Sequence, residues 1–247
     1  MAEVFLESTT PGAWLVPADW NANDNSVEGI GGGAGGGPTI DASTSGLGGG
    51  GGGDSKKVNL NLTPGSWVPY SVGAGGEPNM PGGDTWFQSP AVLLAKGGNI
   101  SLNPPNAVAF GGQASEGVGD VKYSGGNARS GASGGSAGGA AGPNGNGGLG
   151  LVNGGAGDAG FGGAGGSAAS GGIPADGAEW GSYGSGGGGQ RVSNLANGKN
   201  GGKYGGGGSG GAASDNTIFL GGFGAQGLIR ITYKPVDTVV DSIIKAT

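Results

Sequence analysis

Apolar and polar positions alternate in short islands, each bounded by a turn signal. Val4-Phe5-Leu6 and Trp14-Leu15-Val16-Pro17 flank Thr10-Pro11-Gly12, so the chain opens with two extended segments. Lys57-Val58-Asn59-Leu60-Asn61-Leu62 alternates as a half-buried strand does. After the turn Thr63-Pro64-Gly65-Ser66, Trp67-Val68-Pro69-Tyr70-Ser71-Val72 resumes the extended pattern, and its proline predicts an edge strand or a bulge. Thr85-Trp86-Phe87, Ala91 to Ala95, Asn99 to Leu102 and Ala107 to Phe110 are further candidates, and Gly227 to Tyr233 is the strongest strand. Short strands separated by turns predict a β-sandwich. After Pro235 the period changes. Val236, Val239, Val240, Ile243 and Ile244 fall on one face of a short amphipathic helix that needs a partner, with an extended tail added to a sheet as the rival.

Between these islands the chain is glycine: 69 of 247 residues. Glycine buries no side chain and loses the most backbone entropy on ordering, so such a chain is either disordered or held by main-chain hydrogen bonds. From Gly139 to Gly172 every third residue is glycine except Leu151 and Ala169. Three is the period of the polyproline II backbone, and Pro143 alone is too little proline for collagen. The same helix built from glycine keeps its N–H groups and bonds to parallel or antiparallel neighbours. The expectation is mainly β: one domain over 1–234, with sandwich strands from 1–30, 55–110 and 215–234, polyglycine II insertions at 31–54 and 111–214, and an attachment tail at 235–247.

Composition narrows the chemistry. Without cysteine or histidine there are no disulfides, no Cys-His or Ser-His pair and no common zinc site. The net charge of −6 with no basic cluster argues against nucleic acid. The chain reads as having no secretion signal and no bilayer-spanning stretch, and no cofactor is expected. Gly31, Gly33 and Gly36 match a dinucleotide fingerprint, but no helix follows Gly37-Pro38, and neither Lys199 nor Lys203 has the glycine spacing of a phosphate loop. Asp158 sits one place early for a calcium nonapeptide, and Asp176 with Glu179 reads as solvated loop acids before it reads as a glycosidase pair.

Large side chains stand out within the second insertion: Tyr123, Arg129, Phe161, Trp180, Tyr183, Arg191, Lys199, Lys203 and Tyr204. They either plug the bundle or form a contact surface, and Trp180 and Tyr183, set among small polar residues and acids, are the foremost contact candidates. Trp14, Trp20, Trp67 and Trp86 read as structural.

Thr10-Pro11-Gly12-Ala13-Trp14-Leu15-Val16-Pro17, the triple glycine at Gly31, Leu62-Thr63-Pro64-Gly65, Tyr70 to Gly76, Gly82 to Phe87, Ala140 to Gly148 and Gly227 to Tyr233 together resemble the glycine-rich domain of bacteriophage tail proteins. A related layout, a jelly-roll-like sandwich with inserted polyglycine helices, occurs in receptors of the anaplastic-lymphoma-kinase type. Tip adhesins of T-even-like tail fibres present receptor-binding loops on such bundles; this sequence reads as lacking their separate fibre-attachment domain, so a tip role is implied only by analogy. The resemblance implies a non-enzymatic virion surface protein made in the bacterial cytoplasm, a tail-fibre or tail-tip component. Its implied partners are other virion proteins, a host surface glycan or outer-membrane protein, and copies of itself. A head fibre or capsid decoration protein is the alternative, and a polysaccharide-degrading tail enzyme a more distant one.

Overall fold

The computed structural model describes residues 1–41, 44–100, 108–129, 134–150, 162–166, 175–192, 195–212 and 217–236. The described strands form two antiparallel sheets, and no helix occurs among the described residues. Sheet A has the order β1 (Ala2–Leu6), β9 (Leu228–Tyr233), β3 (Asn25–Ile30), β4 (Asp54–Val58), β8 (Val121–Tyr123). Sheet B runs β2 (Gly12–Leu15), β5 (Trp67–Ser71), β6 (Thr85–Phe87), β7 (Leu93–Ala95). Their facing sides enclose one apolar core, which includes Val27, Ile229 and Ile231 from sheet A and Val68, Phe87 and Leu93 from sheet B. Trp14 and Trp20 meet edge to face within it, at 5.6 Å between ring centroids.

Several strands depart from the sequence pattern for identifiable reasons. β3 reads Asn-Ser-Val-Glu-Gly-Ile and carries little apolar alternation, yet it lies at the centre of sheet A. Its Gly29 faces sheet B so closely that an added Cβ would stand 3.2 Å from Thr85 Cγ2 and 3.3 Å from Leu93 Cδ2. β4 begins before the predicted strand and ends at Val58, because Asn59 turns into the left-handed region at φ 53°. Leu60 and Leu62 still enter the core, from a loop that the Asn25 side chain holds through Leu60 N–H (2.8 Å) and Leu60 C=O (3.1 Å). Pro69 is in an inner strand, not at an edge. Tyr70 and Ser71 pair with β6, and Gln88, at φ 65°, ends that pairing with its N–H donating to Pro69 C=O (2.8 Å), so Pro69 meets β6 as an acceptor. Asn99 joins the glycine bundle through Gly50 N–H and Phe110 C=O; of the Ala107 to Phe110 candidate, Ala109 makes an isolated bridge to Ala128.

The glycine segments form the second half of the molecule, and their hydrogen bonds advance three residues at a time. Gly31, Ala34 and Gly37 donate to Gly53, Gly50 and Leu47. Gly32 and Gly35 donate to Gly83 and Met80; Gly33, Gly36 and Thr39 donate to Ala225, Gly222 and Phe219. The same segment accepts from Gly76, Gly98, Gly208 and Gly211. This stepping is the signature of polyproline II helices with N–H groups to give. Neighbours run both ways: 31–37 is antiparallel to 47–53, whereas Gly46, Gly49 and Gly52 accept from Gly135, Gly138 and Ala141 in parallel.

The bundle draws on more than the two predicted insertions. Segments 73–83 and 96–99, within the block assigned to strands, are bundle members, while β8 lies inside the second insertion and pairs with β4. Strands pass into bundle segments without a linker: β3 becomes 31–37, and 46–53 becomes β4. Thr85 pins this junction, its buried hydroxyl donating to Ile30 C=O (2.7 Å) and accepting from Gly73 N–H (2.8 Å).

At one margin the pattern changes. Leu220 and Phe223, three residues apart and both exposed, donate their N–H groups to the side-chain oxygens of Asn197 (2.9 Å) and Asn200 (3.0 Å). Gly198 and Gly201 return N–H groups to the carbonyls of Leu220 and Phe223.

Gly222 and Leu220 lie in one segment with opposite environments, which gives a direct test of the lattice. A Cβ on Gly222 would stand 2.1 Å from Lys199 O. Gly222→Ala is expected to lower the melting temperature by about 5 °C or more, the range for overpacking a site that cannot relax. Leu220→Ser, on the outward face, is expected to leave it within about 2 °C, with both variants measured by calorimetry.

Candidate functional site

Trp180, Tyr183 and Tyr204, singled out from the sequence, are brought together against the sandwich. The outer face of sheet A carries Glu3 and Phe5 from β1, Arg230 from β9, Glu28 from β3, and Asp54 and Lys56 from β4, as the strand register requires. Phe5 stacks on Tyr183 at 3.9 Å between centroids and lies 6.4 Å from Trp180. Trp180 also covers the Arg230 guanidinium, 4.9 Å from its ring centroid, while Arg230 bonds Glu3 at 2.7 Å. Glu7 accepts from both the Tyr183 hydroxyl (3.2 Å) and the Tyr204 hydroxyl (2.5 Å).

This cluster fastens the 176–184 loop to β1 and β9. Tyr204 is only 4% exposed, so it is not an available contact residue. Burial first, then the bond to Glu7, raises the Tyr204 hydroxyl's pKa, and the bond to Glu7 raises that of Tyr183; both phenols stay protonated and donate.

The remaining sequence candidates do not join them. Tyr123 is half-buried on β8 opposite Asp54. Arg129 is exposed at the bundle margin, its backbone N–H donating to Ser136; Arg191 is half-buried. Val236 donates its N–H to Asp19 C=O at 2.9 Å, placing the start of the tail at the sandwich end remote from the bundle. Phe161, Asp158, Val239, Val240, Ile243 and Ile244 lie outside the described residues.

Asp176 and Glu179 line a cleft of about 360 Å³, but each is occupied by local hydrogen bonds. Asp176 accepts from Lys203 N–H at 2.7 Å, and Glu179 accepts from Ser185 N–H at 2.9 Å and from the Ser185 hydroxyl. Among the described residues no group of three or more Asp or Glu side chains is arranged to hold a metal ion.

Two features escaped the sequence reading. Beneath the covered face, Glu28 and Asp54 are 2% and 1% exposed, and among the described residues none of their carboxylate oxygens has a hydrogen-bond partner, although Arg230 Nη1 stands 3.7 Å from Glu28 Oε2. Burial, then the neighbouring Glu28, pushes the Asp54 carboxyl well above the ordinary range; burial likewise raises Glu28 against the opposing pull of Lys56 and Arg230. On the opposite side of the sandwich, Trp67 is 66% exposed and its cross-strand partner Leu15 46%. The expectation that Trp67 is a packing residue is therefore corrected. Val68 and Tyr70 take the inward positions of β5, which leaves Trp67 and Pro69 outside. In a strand apolar at nearly every position, period two cannot say which face is buried.

Fold and surfaces together define a glycine-helix bundle built onto a β-sandwich. The chain belongs to the glycine-rich domain family, whose sequence profile matches residues 8–234. No curated protein matches it in sequence. No helix among the described residues is long and apolar enough to cross a membrane.

Two outcomes follow from the covered face. Unfolded Asp54 titrates near pH 4, while the folded group holds its proton to higher pH; the unfolded state therefore binds fewer protons over that window, and stability falls as pH rises through it. Asp54→Asn is expected to melt at least about 2 °C above wild type at pH 8, with the advantage shrinking toward pH 4. Trp180→Ala, which strips the cover from Arg230 and Phe5, is expected to lower the melting temperature by about 2–6 °C.

Proposed function

We propose that this chain is a non-enzymatic surface module of a bacteriophage particle, a tail-fibre or tail-tip component that contacts the host. The carrying observation is the continuity of sandwich strands with a bundle bonded through its main chain. Such a body has no hinge between its halves and holds outward side chains at fixed intervals, as a module that presents a surface under load requires. The resemblance to phage tail proteins supplies the setting. Occupation of Asp176 and Glu179 by backbone donors counts against a polysaccharide-degrading role.

Engagement of Trp180, Tyr183 and Tyr204 by Phe5, Glu7 and Arg230 supports a packing role for the 176–184 loop and favours a contact surface elsewhere. The start of the tail at the end remote from the bundle fits attachment to the particle through that end. Antibody to the chain is expected to label tails of intact particles in electron micrographs, and the purified chain to slow adsorption of those particles to host cells. Labelling confined to capsids would instead assign the decoration role, and unlabelled particles would remove the virion setting altogether.

A further inference from the structure

The two outer faces of the sandwich differ in a way that points to a ligand. Sheet A's outer face is charged and covered by the 176–184 loop. Sheet B's outer face carries Leu15, Trp67, Pro69, Ser71, Trp86 and Leu94, none of them ionisable, and its end around Leu15 and Trp67 is open. Trp67 pairs with Leu15, while Trp86 pairs with Ser71, four residues further along β5 and one strand across. From strand rise and spacing the Cα atoms of the two tryptophans stand roughly 14 Å apart, with Pro69 at the outward position between them and Ser71 directly across from Trp86.

We infer that this face is a binding platform for a neutral glycan chain. Its apolar rings offer flat surfaces to the C–H faces of successive sugar rings, and Ser71 supplies a hydroxyl for hydrogen bonding. The strand positions of this face carry no charge, and the Asp84–Lys96 pair beyond Trp86 and Leu94 is neutralised within itself at 2.6 Å, which matches an uncharged ligand, since no unpaired ionised group is stripped of water when the ligand sits down. Size argues against a second copy of the chain or another stable protein partner. One largely exposed indole, of a type that buries about 150–250 Å², plus one half-exposed leucine and smaller contributions, falls short of the roughly 800 Å² per partner of a stable interface. The platform belongs to rigid strands, so it is formed before the ligand arrives. The inference deepens the host-contact reading and rests on it for its biological role, but binding itself is a property of the purified chain.

The test is affinity electrophoresis of the purified full chain through gels containing dextran, pullulan, mannan or galactan, with tryptophan fluorescence titration by the corresponding hexasaccharides. Wild type is expected to be retarded by at least one of these polymers. Trp67→Ala is expected to weaken that binding at least about tenfold and Trp67→Tyr to retain most of it, while Phe223→Ala, an exposed aromatic on the bundle, leaves it unchanged. Circular dichroism confirms that each variant is folded. Binding to none of the four polymers, or equal binding by Trp67→Ala, would overturn the inference, as would a wild-type dimer in sedimentation velocity that Leu15→Glu dissociates. Tail-labelled particles blocked by a chain that binds no glycan would remove this inference and leave the host-contact reading; glycan binding by a chain missing from particles would do the reverse.

Discussion

A glycine N–H meeting a carbonyl of the next helix, with no side chain between them, is the contact on which the molecule depends. A Cβ placed on Gly36 would lie 2.0 Å from Ser209 O, on Gly49 2.2 Å from Ala34 O, and on Gly207 2.2 Å from Gly49 O. Each is a collision with backbone, which cannot swing aside. The glycine content is therefore a steric requirement of the packing. Ordering so many glycines loses much conformational entropy, and the offsetting term is a main chain paired on every side. Segment 31–37 donates to three neighbours and accepts from others.

That lattice also shapes the sandwich. Strands that run into bundle segments inherit their spacing at the junction, where Thr85 replaces a ladder bond with its hydroxyl between Ile30 and Gly73. Sheet A, flanked by the 176–184 loop, carries charges on its outer face and buries Glu28 and Asp54 with no hydrogen-bond partner for their carboxylates among the described residues. Sheet B, with its outer side open around Trp67, carries none on its strands and has the Asp84–Lys96 ion pair just beyond them. Functional asymmetry thus follows from which sheet the returning chain covers.

The sandwich class was legible because β1, β5, β6 and β9 carry apolar residues where strands need them; of the period-three run from Gly139 to Gly172, residues 151–161 and 167–172 lie outside the described residues, and 139–148 folds back on itself at Gly142 and Gly145. β3 was not legible, since its Gly29 answers a close approach by Thr85 and Leu93, a demand that only the partner sheet reveals. Trp180 and Tyr183 were conspicuous for the right reason, large rings among small residues, but sequence spacing gives no sign that Phe5 and Glu7 wait across the fold. Trp67 was hidden by the opposite problem: a strand apolar on both faces looks like core.

A lattice of identical backbone bonds has no intrinsic stopping point, since any exposed glycine helix is a template for another, including one from a different molecule. The asparagine pair at 197 and 200 addresses this. Their side-chain oxygens occupy the N–H groups of Leu220 and Phe223 that a further helix would use, and the bulky neighbours hold an incoming backbone at a distance. This margin works as a crystal-growth inhibitor built into the chain: along that edge it leaves a further glycine helix neither free donors nor a close approach.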